Sequence, residues 1–175
     1  METDSHTVDK LCVRLLCMFT QSYSWEIQSM NVKSAFLQGE EIKRELFIKC
    51  PKEMKQKGKL MKLKKCINGL NDASLKWFRA AKKEIESYGC QQCSQDSALF
   101  YRHDDNGEIE GMICLHVGDL LHAGSPSFRK NVIDGIRKTF AVGSIESGTF
   151  KYIGFKFTQD ENQIKICTQS ISDGI

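Results

Sequence analysis

Apolar positions recur along this chain with two different periods. Val8, Leu11, Cys12, Leu15 and Phe19 fall at three- and four-residue steps, which predicts one face of a helix over about residues 6–22. "NGLNDASLKWFRAAKKEIESYG" does the same with Leu75, Phe78, Ala81, Ile85 and Tyr88. There Asp72 is placed to cap the helix and Gly89 to follow its last turn. A third helix is predicted from Ser125-Pro126, with Phe128, Val132, Ile133, Ile136 and Phe140 on one face. Between these helices the period shortens. "WEIQSMNV" reads as extended, "KSAFLQGEE" turns away from it, and "RELFIKCP" and "GKLMKLKKC" read as short strands around a lysine-rich loop. In the second of these, Leu60, Lys62 and Lys64 alternate with Met61 and Leu63. "SALFYRH", the "DDNG" turn and "EIEGMICLHV" form a hairpin. "MICLHVGDLLHAG" forms the next, and "TFKYIGFKFT" with "QIKICTQ" a last one about "QDEN". Runs of strands punctuated by three amphipathic helices predict an α+β domain, an antiparallel sheet with helices packed on one face.

The hairpin at Gly118-Asp119 places one carboxylate at an apolar tip. A two-residue loop there pairs Val117 with Leu120, His116 with Leu121 and Leu115 with His122. Side chains alternate between faces. His116 and His122 therefore point apart and cannot share an ion, and each reads as a half-buried strand residue. Asp119 alone is a poor metal site, because Mg²⁺ is held by one or two carboxylates together with substrate phosphates.

Length and composition narrow the class. The 175 residues suffice for one domain with its own core, and 41% hydrophobic with 27% charged residues is globular composition. No run of 18 apolar residues occurs, so no helix is expected to cross a membrane. The start "METDSHTVDK" has no basic region leading into an apolar one, which points to an intracellular setting. Of eight cysteines, only Cys90 and Cys93 form a close pair. No second such pair exists to complete a zinc site, and the cysteines read as packing residues. Net charge is +3, but its distribution is uneven. Lys49, Lys52, Lys55, Lys57, Lys59, Lys62, Lys64 and Lys65 face one acid, Glu53. Such a run either tracks a phosphate backbone or forms a solvated loop.

Five segments in order resemble the copia-type LTR-retrotransposon reverse transcriptases. "WEIQSMNVKSAFLQGEEIKRELFIKCP" is similar to that family's W-x-h-x-Q-h-D-V-K-x-A-F-L-x-G segment and the strand after it. "KLKKCINGLNDASLKWF" resembles K-L-x-K-S-L-Y-G-L-K-Q-A-P-R-x-W-Y. "GCQQCSQDSALFYR", "MICLHVGDLLHAGS" and "TFKYIGFKFT" resemble the segments that follow, over about residues 8–168. The resemblance implies residues 1–175 as a single partial domain, polymerase palm and part of the fingers, without thumb or RNase H. It implies RNA-directed DNA polymerisation with Mg²⁺, two ions being held by palm aspartates. It also implies RNA or DNA as partner, and Asn31 close to Asp119 at one sheet edge with the 72–88 helix on the sheet.

This copy departs from the pattern where the ligands belong. The first aspartate falls on Asn31, an amide without charge. The first of the paired aspartates falls on Gly118, a glycine expected to need a left-handed turn, and the tyrosine before the pair on His116. Asp119 remains. Phe36 stands where the family carries the residue that blocks a ribose 2′-hydroxyl. Gly69 and Leu70 hold in the nucleotide and template motif, while Asp72-Ala73-Ser74-Leu75 replace its Gln-Ala-Pro-Arg. The expectation is a retrotransposon-derived domain that binds no Mg²⁺ and does not polymerise. Two alternatives stand beside it: a nucleic-acid-binding module using Lys49, Lys62, Lys64 and Lys65, and an active polymerase subunit.

Overall fold

The computed structural model describes residues 7–50, 53 and 58–168. Lys52, Lys55 and Lys57 of the basic run lie outside them. The elements are α1 (Lys10–Ser22), β1 (Ile27–Val32), α2 (Ala35–Gln38), β2 (Phe47–Lys49), β3 (Leu60–Lys62), α3 (Ala73–Ser87), β4 (Gln91–Gln92), β5 (Leu99–His103), β6 (Ile109–His116), β7 (Asp119–Gly124), α4 (Pro126–Phe128), α5 (Asp134–Thr139), β8 (Val142–Ser147), β9 (Thr149–Tyr152), β10 (Phe155–Gln159) and β11 (Ile164–Thr168). A π-type turn, Arg129–Ile133, joins α4 to α5. The fold is α+β. A six-stranded antiparallel sheet runs β4-β5-β6-β7-β1-β8, a three-stranded one β11-β10-β9, and β2 and β3 form a separate ribbon.

Both faces of the large sheet are covered. Gly111 and Gly124 leave room for the Phe128 ring, which a Cβ at either position would meet at 2.3 to 2.4 Å. The α4–α5 segment packs there, with α3 beside it through an edge-on contact of Trp77 with Phe140. On the opposite face, where Cys114 points, the Cys114 Sγ lies 4.0 Å from the Cys12 carbonyl of α1. The Tyr152 hydroxyl of β9 donates to the Cys114 carbonyl at 3.0 Å. β6 and β7 are therefore buried on both faces, from Glu110 to Leu115 and from Leu120 to Gly124, with Glu110 and His122 as polar side chains among apolar ones. The five residues predicted to line the third helix are all buried. Three successive steps of four, from Phe128 to Phe140, overshoot an α-helical turn by about 40° each. The wider π turn takes up part of that drift and keeps them on one side.

Several expectations are corrected. The buried face of α1 is Val13, Leu16, Cys17 and Thr20, while Leu11 is 71% exposed. This helix carries two apolar stripes, and the sheet receives the other one. Asp72 sits at the N-cap of α3 without capping it, because its carboxylate holds Arg44 at 2.9 Å. "TFKYIGFKFT" is two strands, β9 and β10, joined by a turn in which Ile153 and Gly154 have positive φ. β4 and β8 were not foreseen.

Candidate functional site at the hairpin tip

The β6–β7 turn sits one residue earlier than the expected Gly118-Asp119. His116 pairs with Asp119, Leu115 with Leu120, and Ile113 with His122, so Val117 and Gly118 make the turn. The left-handed residue is Val117, with φ +51, and not the glycine. A β-branched residue is strained there. The buried Trp77 of α3 donates its indole N–H to the Val117 carbonyl and pins the turn to the helix layer. Because the turn moves by one residue, both strands keep their face assignments. His116 and His122 still point to opposite faces. His116 is half-buried as expected, whereas His122 is fully buried.

β1 lies alongside β7 in a register that puts Asn31 directly opposite Asp119. Direct partners in a sheet share a face. The Asn31 Nδ2 donates to the Asp119 Oδ1 at 2.6 Å. His116, Asp119 and Asn31 thus form a row across three strands, at the ends of β6, β7 and β1. These strands are interior to the sheet and not at its edge, because β8 adds on beyond β1. Gly118 faces α2, and a Cβ there would stand 3.2 Å from the Ala35 methyl. Phe36, the next residue of α2, is half-buried against the core.

Gly69 and Leu70 form the approach to α3, with Gly69 at φ +94. The Leu70 N–H donates to the Ile67 carbonyl and the Leu70 carbonyl accepts from Ala73. Their hydrogen bonds therefore belong to the α3 end. The candidate lysines divide into two groups. Lys49 and Lys64 are exposed, and Lys62 is exposed in an ion pair with Glu45 at 2.5 Å. Lys65 is half-buried and donates to the Gly39 carbonyl at 2.6 Å, so it holds the chain together locally.

Among the described residues, no three His, Cys, Asp or Glu side chains are grouped to hold a metal ion. The tip offers one carboxylate, already hydrogen-bonded by a neutral amide. That donor set does not match a pair of divalent ions, which needs several charged oxygens. Nor do the cysteines supply a centre. All eight are free, and burial pushes the Cys90 thiol up to about 12, so it stays protonated at neutral pH.

An antiparallel sheet backed by helices is the fold that the sequence resemblance implied. The chain belongs to the reverse transcriptase (RNA-dependent DNA polymerase) family, whose pattern it matches over residues 2–175. Similar proteins include the Transposon Ty1-GR1, Ty1-DR4 and TyH3 Gag-Pol polyproteins of Saccharomyces cerevisiae. Each is 27% identical over 150 residues, covering 82% of this chain. The chain spans only 8 to 9% of the length of these relatives. Among the described residues, no helix is long and apolar enough to cross a membrane.

Proposed function

We propose that this chain is a retrotransposon-derived reverse-transcriptase palm with part of the fingers that does not catalyse nucleotide transfer, and that it acts inside the cell. The observation that supports this reading is the Asn31–Asp119 hydrogen bond. It joins two of the three positions where the resemblance puts metal-binding aspartates, and the third position, Gly118, carries no side chain. Metal-assisted polymerisation needs a Lewis acid at both the attacking and the leaving oxygen. One carboxylate in place of three removes the charge that would hold it. Phe36, on α2 beside the tip, and Gly69 and Leu70, at the approach to α3, stand at positions of the nucleotide-binding motifs. Extension of a labelled primer on an RNA template, with Mg²⁺ or Mn²⁺, tests the reading. No added nucleotide is the expected result. Incorporation that Asp119→Asn abolishes would establish an active polymerase.

A second reading, nucleic-acid binding without catalysis, is favoured by the β2–β3 ribbon. Its outer face pairs Phe47 with Lys62 and Lys49 with Leu60, all exposed, and Lys64 extends the row. Cations interleaved with apolar side chains suit a phosphate backbone with stacked bases. Binding that weakens log-linearly with salt supports this reading, and no binding at low salt contradicts it.

A further inference from the structure

His122 lies in the middle of β7, on the face covered by the α4–α5 segment. It is 0% exposed, and neither Nδ1 nor Nε2 has a hydrogen-bond partner. A neutral imidazole carries one N–H, and here that donor is unmet. Its neighbours across the strands are Ile113 of β6 and Gln28 of β1, neither of which titrates. Two residues on, Gly124 lies under the Phe128 ring.

The charged groups that act on it come from three elements: Arg129 from the π turn, Arg137 from α5, and Glu26 just before β1. Glu26 is committed elsewhere. Arg129 donates to its carboxylate at 2.5 Å and to its backbone carbonyl at 2.6 Å. A proton on His122 in place would add a further positive charge in a dry layer, with no acceptor.

We infer that His122 makes the seating of α4–α5 on the sheet acid-sensitive: the ring can take a proton only when that layer lifts and admits water. Burial first, and then Arg129 and Arg137, hold the imidazole at about 3, against an ordinary 6.5. The folded value is the lower one. The closed layer is therefore fully stable above the ordinary value, and it loses stability as pH falls from 6.5 towards 3. Between about pH 7 and about pH 5 the opening equilibrium should rise about 25-fold, if the opened ring titrates normally.

Hydrogen exchange on the full chain tests this, read as protection of the amides of residues 126–139 and corrected for intrinsic pH dependence. The expected result is a loss of protection on acidification that is absent in His122→Leu. An equal loss in that variant would overturn the inference. The unmodified protein provides a second test, which holds even if the variant does not fold. By NMR, the ring signals of His122 should stay fixed to about pH 5. A His122 ring that titrates near 6.5 with the helix amides still protected would overturn the inference equally.

Discussion

The β6–β7 hairpin and the β2–β3 ribbon are both antiparallel pairs, and they carry opposite kinds of information. In the hairpin almost every side chain is buried, and packing on both faces fixes which residues point to which layer, with Trp77 holding the turn. In the ribbon the outer side chains are exposed, and among its lysines Lys65 is held by a backbone carbonyl. On the proposed reading, the difference explains how the fold would persist without metal ligands. Nothing in the hairpin's packing rests on a carboxylate at position 31 or 118. The amide and the glycine leave the Trp77 bond, the Phe128 seat and the strand register in place. On that reading stability and chemistry reside on different residues, so the chemistry could be lost before the fold.

The largest expected effect breaks the hairpin side of this contrast. Trp77→Ala removes a ring that is 1% exposed, its packing on Phe140 and its hydrogen bond to the turn. It should cost about 3–5 kcal/mol, read as a fall in the urea midpoint. A smaller effect is expected at the tip. Asn31→Asp replaces a hydrogen bond with two carboxylates directly opposite each other. It should destabilise by about 1 kcal/mol in the absence of divalent ions, since like charges paired across strands repel. Added Mn²⁺ should restore the midpoint if the pair now holds a cation. The smallest effect on stability belongs to the ribbon. Replacing Lys49, Lys62 and Lys64 with Met should leave the urea midpoint within about 0.5 kcal/mol. If these lysines neutralise phosphates, the log–log salt slope of nucleic-acid binding should shallow by about 0.9 for each phosphate left without its lysine. Lys65→Met should do the reverse, lowering stability with little change in that slope.

The sequence was most legible where burial imposed a period. The faces of α3 and of the 126–140 helix, the turn glycines Gly89 and Gly107, and the strands β5 to β7 follow from apolar spacing. Even there Trp77 was missed as a core residue, although it stands four residues before Ala81 and eight before Ile85 on the buried face. α1 misled because it carries two apolar stripes, and only the packing decides which one meets the sheet. β8 left no signal. Its residues after Val142 are exposed, and β1 holds it through backbone pairing that any sequence can make. The turn moved because a glycine was expected to take the left-handed position, whereas Trp77 holds Val117 in it. The candidate site was legible as a set of positions through the resemblance alone. That Asn31 and Asp119 are direct partners came from the register.

Calorimetric titration of Mn²⁺ into the unmodified chain and into Asn31→Asp/Gly118→Asp tests the central claim most directly. The glycine's backbone lies outside the left-handed region, but the new Cβ would stand 3.2 Å from the Ala35 methyl, so α2 must give by a few tenths of an ångström, and a thermal melt checks that the double variant folds. The account predicts saturable binding by the variant and none by the unmodified chain. Equal, measurable binding by both would show that one carboxylate and an amide already hold the ion, and the reading of a disabled palm would fail.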